Sequence, residues 1–325
     1  MLDEYGRSIN YIRVSVTDRC NLRCTYCMPE EGVEQVSHSD ILSYDEIARV
    51  IRLCAERGIS RVKLTGGEPL VRRGLPSLVE TLKQIPGIEQ VTLTTNGVLL
   101  KEQMGALAGA GIDAVNISID TLDQEMYAHI SRRDKLADAL SGLEEALKYR
   151  EVKVKINCVP LLGVNEDQWV PLSLLAKEKP VDVRFIEMMP IGYGKKYQGK
   201  TQEDILSVLR EAYGEERCSS GVFGNGPSTY VEFPGFRGKI GFISAMSHKF
   251  CSECNRVRLT SEGLLKPCLQ YAAGEDLRTP LRRGASEDEL SRLIGRAIYH
   301  KPLSHHFEME EGEGFEEKQM SRIGG

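Results

Sequence analysis

Six of the nine cysteines in this 325-residue chain fall into two sets of three. Cys20, Cys24 and Cys27 lie together in the run Cys20-Asn21-Leu22-Arg23-Cys24-Thr25-Tyr26-Cys27. Three thiolates at these offsets can hold three corners of a 4Fe-4S cluster, and with no fourth cysteine nearby one iron stays open for a small ligand. An open iron means chemistry rather than electron storage. Tetrahedral zinc is poorly served by three soft ligands without a fourth. Cys251, Cys254 and Cys268 repeat the arrangement in the C-terminal part. There zinc stays open as a reading, because His248 stands three residues before Cys251 and can complete a site of one histidine and three cysteines. Cys54 and Cys158 fall on apolar faces and read as packing, and Cys218 belongs to neither set.

The elements that must position these residues alternate, strand then helix, over the first two-thirds of the chain. Strands are expected near 11–16, 61–65, 90–95, 113–119, 151–158 and 181–186, with helical patterns between them. In Tyr44 to Arg57, for example, Ile47, Val50, Ile51 and Cys54 recur at helical spacing. Such a series predicts an α/β fold, a partial TIM-like (β/α)6 barrel with its site at the C-terminal strand ends, where the first cysteine loop and the Gly66-Gly67 turn fall. Several strands set apolar residues against polar ones: Val14 against Arg13, Leu64 against Lys63, Leu93 against Thr94, Ile117 against Ser118, Ile156 against Lys155. If the apolar sets face the helices, Arg13, Lys63, Thr94, Ser118 and Lys155 converge on the lumen, where uncompensated charge calls for an anionic ligand. An open sheet with one solvent face alternates in the same way.

The chain changes character near 190, at a connection rich in glycine and lysine. Residues 1–195 are therefore expected to form the barrel and 196–325 a C-terminal α+β extension carrying the second cysteine set. In that part a helical segment is expected around 201–213, a β-like region over 220–260, and amphipathic helices between 274 and 299. The end is acidic, through Glu308, Glu310, Glu311, Glu313, Glu316 and Glu317, and reads as a mobile tail. A net charge of -5 argues against a surface-wide nucleic-acid footprint. No apolar stretch reaches membrane-spanning length, and the first residues carry no apolar core of a signal peptide, so a cytoplasmic, reducing location is expected.

The Cys-x-x-x-Cys-x-x-Cys loop with the later Gly66-Gly67-Glu68-Pro69 turn resembles the radical S-adenosylmethionine (SAM) enzymes. A closer resemblance runs through the chain: Asp18-Arg19-Cys20-Asn21, Tyr26-Cys27-Met28-Pro29, Leu64-Thr65-Gly66-Gly67-Glu68-Pro69, Thr94-Thr95-Asn96-Gly97, Arg184-Phe185-Ile186-Glu187-Met188-Met189-Pro190, Phe250-Cys251-Ser252-Glu253-Cys254-Asn255-Arg256-Val257-Arg258, Lys266-Pro267-Cys268-Leu269, and the terminal Gly324-Gly325. These motifs, in this order, are similar to the GTP 3′,8-cyclases of molybdenum-cofactor biosynthesis. That resemblance implies two 4Fe-4S clusters, on Cys20, Cys24 and Cys27 and on Cys251, Cys254 and Cys268, with SAM at the first and the guanine of GTP at the second. It implies SAM contacts at Tyr26, Gly66, Gly67, Glu68, Ser118 and Met189, and GTP contacts at Arg13, Lys63, Thr94, Lys155, Arg256 and Arg258. Arg256, Arg258, Gly324 and Gly325 would take part in catalysis. A 5′-deoxyadenosyl radical would take hydrogen from C3′ of GTP, and the C3′ radical would close onto C8. An electron donor and a cyclic pyranopterin monophosphate synthase would be partners, and a homodimer is compatible with the family. A peptide-modifying radical SAM enzyme with an auxiliary cluster and a non-enzymatic iron-sulfur redox sensor are the competing readings.

Overall fold

β-Branched and leucine side chains at alternate positions build six short strands, β1 (Tyr11–Ser15), β2 (Arg61–Thr65), β3 (Gln90–Thr95), β4 (Ala114–Ser118), β5 (Lys153–Cys158) and β6 (Asp182–Ile186). They pair in chain order and all in parallel. The computed structural model describes residues 1–323 except 35, 220, 222, 223, 310, 311 and 313. Helices make the crossovers: α1 (Tyr44–Glu56), α2 (Leu75–Lys83), α3 (Leu100–Gly109), α4 (Gln124–Ser131), α5 (Leu136–Ala146) and α6 (Trp169–Glu178). α1 starts where Ser43 and Glu46 cap each other's backbone amides, and its Ile47, Val50, Ile51 and Cys54 are buried in the main core with Val14, Val62 and Leu64. Cys158 is buried in the same core.

The C-terminal part, which the sequence alone presents as an appended extension, joins this sheet at both edges. After α7 (Gln202–Tyr213) come β7 (Arg217–Cys218), β8 (Thr229–Glu232), β9 (Ile240–Ile243), β10 (Arg256–Leu259), β11 (Leu264–Lys266) and β12 (Glu275–Asp276). β9 lies parallel to β6, and β10 lies parallel to β1. Eight parallel strands thus run in the order β10-β1-β2-β3-β4-β5-β6-β9, with antiparallel strands outside each edge. A period-2 pattern identifies a strand but carries no information about its partner, so these edge pairings are invisible locally. The amphipathic stretch after β12 splits into α8 (Arg278–Arg282) and α9 (Glu287–Tyr299).

The tail corrects the expectation of mobility, at least over its described residues. Phe315 bridges to Tyr271, Glu316 forms a buried ion pair with Lys266, and a last turn, α10 (Met320–Ile323), buries Ile323 beside Ile191, Leu269 and Phe307. Acidic composition is an average, whereas Glu316 has one specific partner. Gly324 and Gly325 lie outside the described residues. Among those residues no helix is long and apolar enough to cross a membrane.

One close backbone approach fixes the turn after β3. Gly97 has φ +81°, and a Cβ on Gly142 of α5 would collide with the Gly97 carbonyl oxygen. Because backbone cannot swing aside as a side chain can, Gly142→Ala is expected to lower unfolding free energy by about 1–3 kcal/mol. A shift in the urea midpoint at unchanged slope is the check.

Candidate functional site

Inside the sheet lies a cavity of about 290 Å³ whose wall is the polar face of the strands. Register sets the ring of side chains: Arg13 stands opposite both Lys63 and Arg258, Tyr11 opposite Arg256, Thr94 opposite Asn116, Ser118 opposite Asn157, and Asn157 opposite Arg184. All of these line the cavity. Burial pushes Arg13, Lys63 and Arg258 below their ordinary pKa values, and their cationic neighbours push the same way. Lys63 alone feels Arg184, Arg13, Lys155 and Arg256. Like charges crowded in a low dielectric are stable only with an anion among them. Arg256 lies 5.2 Å over the Phe250 ring, yet its buried Nε and Nη2 have no hydrogen-bond partner among the described residues. Arg184 is held by two bonds to Asn157 Oδ1, at 3.0 and 2.6 Å. Lys155 differs from the sequence reading in that it is not among the cavity-lining residues. Its Nζ donates to Tyr230 Oη at 2.7 Å and lies 3.2 Å from Asp182.

The first cysteine loop leaves the C-terminal end of β1 and is braced from two sides. The amides of Arg23 and Thr25 donate to Ser131 and Ile130 at the end of α4, and Arg132, with φ +53°, donates to the carbonyls of Arg23 and Met28. From β2 the Gly66-Gly67 turn packs directly on the loop's approach: a Cβ on Gly66 would lie 2.5 Å from the Thr17 carbonyl oxygen, and the amides of Gly67 and Glu68 donate to Thr17 and Arg19. Only glycine fits there. Glu68 accepts from Leu70 N, Thr95 Oγ1 and Asn96 N at 2.7–3.0 Å, while Asn96 donates to Asn21 Oδ1. Tyr26 donates to Asp120 at 2.6 Å. Burial pushes the thiols of Cys20 and Cys27 up to about 12 and about 11, and raises Cys24 as well. Such thiols ionise together only when a strong cation takes the thiolates, which suits iron.

Burial raises the Glu68 carboxyl from its usual 4.5 to about 7, against the pull of its three hydrogen bonds. The folded state therefore holds the proton more tightly than the unfolded state, so stability falls as pH rises from about 4.5 and the loss is complete above about 7. In iron-free protein Glu68→Gln removes this dependence. Its stability relative to wild type is expected to rise across that window by about 3 kcal/mol, measured by urea unfolding at several pH values.

The second cysteine set lies at the other end of the lumen. Cys251 and Cys254 precede β10, which runs parallel to β1, and Cys268 follows antiparallel β11. These positions fall at the N-terminal strand ends, so the two sets are separated by a five-residue strand, roughly 15 Å. Cys251, Cys254 and Cys268 line a smaller adjoining cavity of about 110 Å³ that shares Arg13, Arg256, Arg258 and Met189 with the larger one. Arg7 binds the carbonyls of Cys251, Lys301, Pro302 and Leu303, clamping two segments of this wall. Burial acts to raise the Cys254 thiol, but Lys301 and Arg256 together bring it down to about 7. His248 is exposed and its Nδ1 lies 3.0 Å from Ser247 Oγ. Among the described residues no three His, Cys, Asp or Glu side chains converge on a single ion. A cubane asks for less, one thiolate to each of three irons, and both cysteine sets fit it.

Residues 14–176 match the radical SAM superfamily, and residues 181–307 match the family described as Molybdenum Cofactor Synthesis C. Over the full length of both chains this one is 45% identical to a GTP 3′,8-cyclase of Clostridium perfringens across 326 residues, and 46% identical to that of Heliobacterium modesticaldum across 328. The chain belongs to the GTP 3′,8-cyclase family. Among solved structures its fold resembles Streptococcus suis SuiB bound to S-adenosylmethionine, with a TM-score of 0.61 at 15% identity over 81% of this chain and 60% of that one. SuiB bound to precursor peptide SuiA gives a TM-score of 0.64 at 15% identity, over 92% of this chain and 66% of that one. At such identity the likeness concerns the fold.

For this cyclase-family chain the structure adds residues that sequence reasoning did not select. Arg184 has the same strand alternation that identified Arg13 and Lys63, and the pleat argument extended to β6 would have found it. Asn116 and Asn157 were visible on polar faces. Arg7 and the segment 225–228, which also lines the lumen, gave no signal, because their roles depend on contacts across the chain.

Proposed function

We propose that the lumen binds GTP through Arg13, Lys63, Thr94, Arg256 and Arg258, in a radical SAM GTP 3′,8-cyclase that makes 3′,8-cyclo-7,8-dihydro-GTP for molybdenum-cofactor biosynthesis. The observation that carries the assignment of residues is the crowd of buried cations between two cysteine sets at opposite strand ends. A triphosphate is drawn to such a crowd of cations, Arg meeting it through a fork and Lys as a point charge. When bound, SAM and the first cluster on Cys20, Cys24 and Cys27 supply the carbon radical that removes the C3′ hydrogen of GTP. Gly66 and Gly67 let the turn pack on the backbone of residues 17–19 while lining the cavity, whose wall also includes Tyr26, Ser118 and Met189. Glu68 lines it too, while its carboxylate holds the 95–96 turn. Cys251, Cys254 and Cys268 would hold the second cluster, which would supply an iron site for guanine and so fix the base while C3′ and C8 come together. Lys155, held by Tyr230 and Asp182 outside the wall, contributes to phosphate binding only through the positive field it adds at Lys63. Gly324 and Gly325, which lie outside the described residues, take part in catalysis in the same reading. A cytoplasmic setting, an electron donor and a cyclic pyranopterin monophosphate synthase receiving the product belong to the same reading.

The test is anaerobic: the chain is reconstituted with iron and sulfide, reduced, and given SAM with and without GTP, with products followed by mass spectrometry. GTP-dependent 5′-deoxyadenosine and a cyclised product isomeric with GTP are expected. SAM cleavage indifferent to GTP would move the reading to a peptide or another substrate. No cleavage by cluster-loaded protein would favour a redox sensor.

A further inference from the structure

We infer that His305 is the resident ligand at the open corner of the second cluster and that the guanine base displaces it. This rests on reading Cys251, Cys254 and Cys268 as ligands of a 4Fe-4S cluster. The sequence draws attention to His248, but that side chain is exposed and turned to Ser247. His305, 54 positions beyond Cys251, comes back to it through the fold: its backbone amide donates to Cys251 Sγ at 3.4 Å. The residue is 6% exposed, and its ring lies tilted by 38° against Phe307 with centroids 4.5 Å apart, which limits its reorientation. One ring nitrogen faces the Ala245 backbone, and the other has no hydrogen-bond partner among the described residues. His305 lines the same small cavity as Cys251, Cys254 and Cys268, and that cavity is continuous with the wall of the lumen through Arg256 and Arg258.

A buried imidazole with a nitrogen left unsatisfied is unfavourable unless something in its cavity binds it, and a backbone partner on the other nitrogen fixes the tautomer that leaves a lone pair for a metal. The chemistry of the cavity names that partner. Three thiolates leave one iron short of a ligand, and imidazole nitrogen is an accepted donor to iron in such clusters. The exchange is balanced: the iron–imidazole bond breaks as a lone pair on the guanine base forms an iron–guanine bond, the imidazole leaves with its own lone pair, and no electron moves. A resident ligand keeps the open corner from water and small thiols until substrate arrives.

The experiment uses the full chain with Cys20, Cys24 and Cys27 replaced by serine, so that only the second centre assembles, grown on 15N-histidine and reduced. Iron and sulfide are counted, and pulsed electron paramagnetic resonance is recorded before and after GTP. A 15N coupling is expected without GTP, retained in His248→Gln, and lost in His305→Gln and on adding GTP. A cluster that assembles without 15N coupling, or with a coupling that GTP leaves unchanged, overturns the inference while leaving the cluster assignment intact. Failure of any iron to assemble on this set overturns both.

Discussion

Arg256→Ala is expected to lower GTP cyclisation by about 100- to 1,000-fold, the effect of about 2.7–4 kcal/mol when a preorganised donor to developing or resident charge is removed. The expectation follows from what Arg256 does not do in the protein. Its buried Nε and Nη2 make no hydrogen bond among the described residues, and the neighbouring Arg13, Lys63 and Arg258 are cations that it repels. Removing it therefore relieves repulsion in the substrate-free protein, so urea stability of the iron-free chain should hold or rise. Most point changes at buried sites do the opposite. Arg256→Lys keeps the charge and loses the fork, and should fall between the two. 5′-Deoxyadenosine formation should stay GTP-dependent and persist at saturating GTP, because Arg13, Lys63 and Arg258 remain to hold the triphosphate and the first centre lies at the other strand ends. Product yield by mass spectrometry, with iron content as a control, is the measurement, and normal cyclisation by Arg256→Ala would refute its assignment to GTP.

The same residues show where sequence reading succeeds. Arg13, Lys63, Thr94 and Ser118 were placed on one wall by alternation alone, and all four line the cavity, because Cβ direction along a strand is a local property. Lys155 obeys that rule too, yet it is captured by Asp182 on the adjacent strand and by Tyr230, 75 positions away in the chain. No local pattern reports such a capture. The cysteine spacings were legible because ligands on one loop must be close in sequence. That the two sets face each other across the lumen depends on β10 pairing in parallel with β1, a contact some 245 residues long in sequence. Glu316 and His305 were illegible for the same reason: each is defined by one distant partner, Lys266 and Cys251 respectively.

Cys24→Ala and Cys254→Ala are expected to separate the two halves of the reaction. Each set has three cysteines and no spare, so loss of one thiolate leaves an iron uncovered and the cluster unstable. The two sets are anchored to different frames. Cys24 sits in a loop tied to α4 and to the Gly66-Gly67 turn, whereas the wall around Cys251 and Cys254 is tied by Arg7 to residues 301–303. Roughly 15 Å separates them, and the one element that touches both is the short turn α10, whose Ser321 amide meets Cys27 and whose Ile323 packs on Leu269, so damage at one should spread little to the other. In anaerobically reconstituted protein each variant should therefore carry about half the iron of wild type, about four of eight atoms. Cys24→Ala should form no 5′-deoxyadenosine at all. Cys254→Ala should still cleave SAM but give no cyclised product, because the base has lost its anchor while the cationic lumen remains. Equal loss of SAM cleavage in both variants would show that the two centres do not act independently, and would sink the division of labour proposed for the two ends of the barrel.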